Sequence, residues 1–357
     1  MKVGIRVDAS ARMGTGHLRR CISLARALGE QGADIRFVTR DLGIDSSAMI
    51  REQGFDSIIV LPKPDGQAIT DPAIPHAGWT EVDTASDSSQ TISALAKFEP
   101  DWVVIDSYGF DARWHHALRE AIGARIAQID DVADRVIAPD LLVDHNHASD
   151  HERKYGDRLE RGAKILGGPR YALLGPAFAG AERYQFDETV RSIGVFMGGV
   201  DAGNHSRLVL SALRGIDFAG PVEIVSTRAN PNLADLRLIV EQDPTASLSI
   251  DLPDLSAFFA RHDIQVGAGG GASWERCCIG VPTLLVIVAE NQRAVAPQLA
   301  TEGIVALADR PQQAVIAAEL EDLIKNADKR RELARRARKL VDGRGAARVA
   351  EEMRCFE

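Results

Sequence analysis

The sequence predicts an α/β protein made of two Rossmann-like, doubly wound domains that face a cleft, and three observations carry that prediction. Short apolar runs alternate with amphipathic helix-like runs through both halves, the pattern of a parallel sheet covered on both faces. The alternation stops in a polar, punctuated stretch at 175–191 and restarts at Ser192. Each half also has a glycine-bearing turn after its first strand, Gly14-Thr15-Gly16-His17 in one and Met197-Gly198-Gly199-Val200-Asp201 in the other.

In the first half, strand-like runs fall at 3–7, 34–39, 57–61, 102–106, 125–129 and 141–144, with helix-like runs such as 18–30 and 112–122 between them. The segment 63–90 is rich in Pro, Asp and Ser and reads as one long surface loop near the carboxyl ends of the strands, where substrate contacts commonly sit. In the second half, strands at 192–196, 222–226, 248–250, 264–266 and 283–288 alternate with helices at 204–213, 233–240, 255–260 and 273–279. The stretch 329–341 has Arg, Lys, Leu and Ala at helical spacing and reads as a helix with a solvated charged face. The domains are expected at 1–178 and 179–357, the second including a helical tail.

A chain of 357 residues is long enough for two domains with separate cores. Hydrophobic residues make up 45% and charged residues 26%, which excludes disordered and fibrous classes. A formal net charge of −9 argues against a general nucleic-acid binder, which recovers counterion-release energy from a basic face. The four cysteines show no C-x-x-C spacing, and Cys277 and Cys278 are adjacent, so a reducing cytoplasm is expected. The N-terminal run is broken by Arg6 and Asp8, and 281–289 is too short for a bilayer, so neither a secretory signal nor a membrane span is expected.

The Gly14–His17 turn sits where open α/β sheets bind ligands. Its glycines allow close backbone approach, a new helix offers free N–H groups, and His17 brings the side chain whose unperturbed pKa of about 6.5 suits a general base. The turn is not a dinucleotide fingerprint, because Arg19 stands where the third glycine belongs, and no P-loop occurs. Gly14 and Gly16 could equally serve only a tight turn. The cluster Gly267-Ala268-Gly269-Gly270-Gly271-Ala272-Ser273 is the stronger phosphate candidate, with Ser273 able to cap the helix that carries Glu275. Glu275 either accepts from ribose hydroxyls or complements the helix dipole. Asn291 and Gln292 follow the last apolar strand and can read sugar or phosphate oxygens, while Asn291 also suits a helix cap. Asp144-His145-Asn146-His147 superficially suggests a metal site, but no supporting ligand cluster accompanies it; an exposed polar turn is expected, and no metal or cofactor.

The chain resembles the UDP-2,4-diacetamido-2,4,6-trideoxy-β-L-altropyranose hydrolases of pseudaminic acid biosynthesis. The resemblance rests on Arg6-Val7-Asp8-Ala9-Ser10…Gly14-Thr15-Gly16-His17, Asp106-Ser107-Tyr108-Gly109, Met197–Asp201, Asn230-Pro231-Asn232-Leu233, and the glycine-rich segment through Ser273 and Glu275 with Asn291-Gln292, and it spans nearly the whole chain. It implies a glycosyltransferase-B architecture that looks like the lipid II-forming N-acetylglucosaminyltransferase converted to hydrolysis. His17 is then the general base, and the UDP-sugar contacts are Gly14, Gly16, Tyr108, Asn146, Gly198, Gly199, Gly270, Gly271, Ser273, Glu275, Asn291 and Gln292. UDP is expected mainly on the C-terminal domain, opposite His17, in a monomer that contacts neither nucleic acid nor membrane. UDP leaves as a stabilised anion, so one base that deprotonates an attacking water suffices, with inversion and no covalent intermediate. A glycosyltransferase of the same fold and a non-catalytic nucleotide-sugar binder are the alternatives.

Overall fold

A computed structural model describes residues 1–66, 69–160 and 162–356, apart from the side chain of Asn291. The chain forms two compact units, Met1–Gly175 with Arg344–Glu357, and Pro176–Gly343. The last helix, expected with the second domain, thus belongs to the first unit.

The first unit runs β1 (Lys2–Val7), α1 (Gly16–Glu30), β2 (Asp34–Arg40), α2 (Ser46–Glu52), β3 (Ile58–Leu61), α3 (Thr84–Leu95), β4 (Trp102–Asp106), α4 (Ala112–Ile122), β5 (Arg125–Ile129), β6 (Leu141–Asp144), α5 (His151–Tyr155) and β7 (Lys164–Gly167). All seven strands are parallel, in the order β3-β2-β1-β4-β5-β6-β7. The order reverses direction between β1 and β4, the switch point at which such sheets bind ligands. Val3, Ile5 and Val7 on β1 pack with Leu18, Cys21, Leu24 and Leu28 of α1, so one face of the sheet is sealed by the helix that begins at the glycine turn.

The expected 63–90 loop is shorter than the composition suggested. Residues 77–79 make a 3₁₀ turn and α3 starts at Thr84, because Asp83 caps it by accepting from Ser86 N at 2.9 Å. Asp83, Ser86 and Asp87, which read as loop, are residues that start the helix. Asp87 in the first turn is fully buried against Arg6 and Arg40, which ties α3 to β1 and β2. Gln67 and Ala68 of that segment lie outside the described residues.

The second unit runs α6 (Pro176–Ala179), β8 (Ile193–Phe196), α7 (His205–Gly215), β9 (Val222–Ser226), α8 (Leu233–Glu241), β10 (Ala246–Ile250), α9 (Ser256–Ala260), β11 (Ile264–Ala268), α10 (Gly271–Ile279), β12 (Thr283–Val286), α11 (Ala296–Thr301), β13 (Ala306–Ala308), α12 (Gln313–Lys325) and α13 (Ala327–Leu340). Its parallel sheet has the order β10-β9-β8-β11-β12-β13, with its own switch point between β8 and β11. The core gathers Ile193, Val195, Val209, Leu213, Ile264, Val266, Leu284 and Val286. The charged face of α13 is largely exposed as expected, except for Arg330, which is buried.

α14 (Gly345–Arg354) completes the first unit by placing Val349, Ala350 and Met353 in the same core as β1 and α1. Among the described residues no helix is long and apolar enough to cross a membrane.

Candidate functional site

Both switch points are occupied by the turns the sequence singled out, but they are built from different material. In the first unit, β1 ends at Val7, whose register partner on β4 is Asp106. The chain then bends through Gly14, held at φ +72° by a bond from its N–H to Ser10 O at 2.7 Å, and starts α1 at Gly16. Beyond the adjoining chain and the backbone of α1 itself, no atom of the described residues lies within 4 Å of where a Cβ would stand on Gly14 or Gly16. Thr15 gives α1 no side-chain cap and no acid occupies its first turn, so the helix N-terminus is left open for an anion or a polar ligand.

His17 is 8% exposed and directly beside the end of β4. Its Nδ1 lies 2.6 Å from Asp106 Oδ1. Arg20 Nη2 is 3.2 Å from the same nitrogen, but the much closer carboxylate can only accept, so Nδ1 is the ring nitrogen that donates to it and Nε2 is left facing away from Asp106 as the other ring nitrogen. Arg20 also grips Asp106 with both arms, Nε to Oδ2 at 2.5 Å and Nη2 to Oδ1 at 2.7 Å. Burial opposes the charge on Asp106, yet Arg20 and His17 together hold its carboxyl well below the usual carboxylate range. Asp106 is therefore ionised and holds the imidazole through Nδ1.

Arg20 carries the network onward. Its Nη1 donates to Asp131 Oδ2 at 3.3 Å and to His145 Nε2 at 3.3 Å. Asp131, after β5, accepts from the Tyr108 hydroxyl and from Asn146 Nδ2 at 3.1 Å. Tyr108 stands edge-on to the His17 ring at 4.8 Å between centroids, and Trp79 of the 3₁₀ turn stands edge-on at 6.2 Å. Gly14, Gly16, His17, Tyr108 and Asn146 are thus brought into one neighbourhood.

The turn at Asp144–His147 corrects an expectation. Asp144 and His145 are buried, at 0% and 6% exposure, rather than exposed. Lys154 pairs with Asp144 at 2.6 Å, and burial followed by the Arg20 charge pushes the His145 imidazole down to about 4, so it is neutral near neutrality. The polar letters read as a surface loop because Arg20, the partner of His145, lies 125 residues away in sequence, and the Lys154 that pairs with Asp144 comes from the next helix.

In the second unit the turns are held by side chains that bind backbone. Thr227 Oγ1 donates to Gly199 O at 2.7 Å and Asn232 Nδ2 to Asp201 O at 3.0 Å, while Asn230 Nδ2 donates to the side chain of Ser226, whose Oγ accepts at 2.9 Å. Gly198 sits at φ +99° with no atom of the described residues, its chain neighbours aside, within 4 Å of a Cβ position. In the turn after the neighbouring strand β11, Gly270 at φ +128° is the N-cap of α10, a conformation an L side chain rarely adopts. Ser273, expected as the cap, instead lies buried in the first turn of α10, where its Oγ accepts from Arg276 at 3.3 Å. Gln292 spends its amide on the turn, Oε1 accepting from Val288 N at 2.9 Å and Nε2 donating to Gly269 O at 3.0 Å. Gly270 and Gly271 are exposed, and Glu275 is half-buried. The side chain of Asn291 lies outside the described residues.

Sequence reasoning missed Asp106, Arg20, Asp131 and Trp79 as members of the site. Arg20 had a signal, since three residues beyond His17 places it on the same helix face. Asp106 ends a buried strand with a carboxylate, which is a second signal.

No protein-family model matches the chain. It is 25% identical to the spore coat polysaccharide biosynthesis protein SpsG of Bacillus subtilis, over 98% of this chain and 96% of the relative. It is 24% identical to the UDP-2,4-diacetamido-2,4,6-trideoxy-beta-L-altropyranose hydrolase of Campylobacter jejuni, over 85% of this chain and 97% of the relative. Among solved structures, MurG of Acinetobacter baumannii superposes with a TM-score of 0.68 at 15% identity, covering 99% of each chain. With two parallel α/β units wound in this order, the chain has the two-domain Rossmann-like architecture of the glycosyltransferase-B class.

Proposed function

We propose that this chain is a nucleotide-sugar enzyme, and specifically that it hydrolyses a UDP-linked diacetamido trideoxyhexose to UDP and the free sugar. The observation that carries the reading is the 2.6 Å bond between His17 Nδ1 and a doubly gripped, ionised Asp106. It fixes the tautomer whose Nε2 can take a proton. The names of the relatives support it: that of the Campylobacter protein states this hydrolysis, and that of the Bacillus protein places it in polysaccharide biosynthesis.

In the proposed reaction, Nε2 of His17 takes a proton from a water whose oxygen bonds to the anomeric carbon. The bond from that carbon to the diphosphate oxygen breaks, and its electron pair leaves with UDP. The proton passes from His17 to solvent. Gly14 and Gly16 leave open space beside the base, and Tyr108 and Asn146, both oriented by Asp131, are assigned to the sugar. The UDP is assigned to the turns at Gly198–Gly199 and Gly270–Ser273, with Glu275 on the ribose. Exposed N–H groups at an uncapped helix start suit a departing anion, so no acid is required on the leaving group.

The test is release of free UDP from UDP-2,4-diacetamido-2,4,6-trideoxy-β-L-altropyranose, with other UDP-sugars alongside and no acceptor present. Acceptor-independent release is expected. Release only when an acceptor alcohol is added assigns the same base to glycosyl transfer, and tight UDP binding without turnover of any UDP-sugar assigns a binding protein.

A further inference from the structure

The buried arginines of this protein sort into two kinds. Arg6, Arg40 and Arg135 each pair with aspartates. Arg330 has no such pair but donates to Leu323 O, Ile324 O and Glu188 O, the first two at the C-terminal end of α12, where the helix dipole welcomes a cation. Arg276 fits neither pattern. It is 0% exposed, and among the described residues it has no carboxylate within ion-pair distance. Among the described residues its Nε and Nη1 have no hydrogen-bond partner.

Helical side chains slant toward the N-terminus, and Arg276 slants back along α10 to its first turn. There Nη2 donates to Ala268 O at 2.8 Å and to Ser273 Oγ at 3.3 Å. A cation thus lies at the positive end of a helix dipole, beneath the glycine turn. A Cβ on Gly267 would stand 2.3 Å from Nη1, so the strand is kept bare to admit the guanidinium. Because Ser273 accepts from Arg276, its own proton is free to be donated, and no acceptor among the described residues takes it. Such an arrangement costs stability until an anion compensates it.

We propose that Arg276 is the internal counter-charge of the glycine turn, a positioning residue that acts through Ser273 and its own field to favour a diphosphate over a neutral ligand. The inference rests on reading the turn as a UDP site. Calorimetric titration of the full chain with UDP and with uridine tests it in wild type, Arg276→Lys, Arg276→Met and Ser273→Ala. Arg276→Met is expected to weaken UDP roughly tenfold while uridine changes by less than about twofold, the scale of one charge within several ångströms at an effective dielectric constant of about 20. Arg276→Lys should recover most of the loss, and Ser273→Ala should show a smaller loss confined to UDP.

An equal fall for both ligands, or none, overturns the proposal. If Arg276→Met does not fold, Arg276→Gln replaces it with the same two outcomes. A wild-type protein that binds UDP without hydrolysing UDP-sugars leaves this inference standing and removes the hydrolase reading. One that binds UDP no more tightly than uridine overturns the inference itself.

Discussion

The two units share one winding and one kind of switch point, yet they spend their side chains differently. At the end of β1 and β4 the side chains point at one another as a hydrogen-bonded chain, Asp131, Arg20, Asp106 and His17, in which one guanidinium bridges the two carboxylates. At the end of β8 and β11 the side chains of Thr227, Asn232 and Gln292 bind backbone, so that glycine amides are what remains exposed. A bridged network of this kind holds one imidazole in one orientation, which suits proton transfer. Braced glycine turns present N–H groups at low reorganisation cost, which suits holding an anion.

Variants can break that contrast. The largest effect is expected at His17: His17→Asn should lose about 10²–10⁴-fold in turnover with UDP affinity retained, measured as acceptor-free UDP release beside calorimetric binding. Asp106→Asn follows, with a loss of roughly 10²-fold or more, because an amide no longer selects the tautomer that leaves Nε2 free. If Asp106→Asn instead altered UDP affinity and left turnover intact, the division of labour between the units would be wrong. Gly270→Ala should act the other way, weakening UDP about tenfold while sparing the chemical step, since a φ of +128° strains any L side chain by about 1–3 kcal/mol.

The smallest effect concerns pH and stability. Burial followed by the Arg135 charge pushes His115 down to about 3, and burial with Arg20 pushes His145 down to about 4. Between those values and about 6.5 the unfolded chain binds more protons, so stability rises with pH and falls on acidification, by up to about 1.4 kcal/mol per pH unit for each histidine. The depressed carboxylates of Asp106 and Asp131 add their loss only below about pH 4. Urea midpoints at pH 7, 6 and 5 should therefore decline, and His115→Asn should flatten the decline. A midpoint that rises on acidification contradicts the neutral, buried state of both histidines.

Much of this was legible in the residues. Period-2 and apolar runs located most strands because parallel strands are buried on both faces. β7 and β13 escaped, the first because Lys164 and Gly167 break a four-residue edge run and the second because Ala306-Leu307-Ala308 has little strand character. His17 and the glycine turns were visible through local spacing. Asp106, Asp131 and Trp79 were not chosen, because their partnership with α1 exists only once β4, β5 and the 77–79 turn are folded beside it. Arg276 looked like an ordinary helix cation, and only its burial without a carboxylate distinguishes it.

Hydrolysis in ¹⁸O-labelled water tests the central claim most directly. Attack at the anomeric carbon by a water that His17 deprotonates puts the label in the released sugar and leaves UDP unlabelled. Label in the terminal phosphate of UDP would mean attack at phosphorus, and would contradict the account.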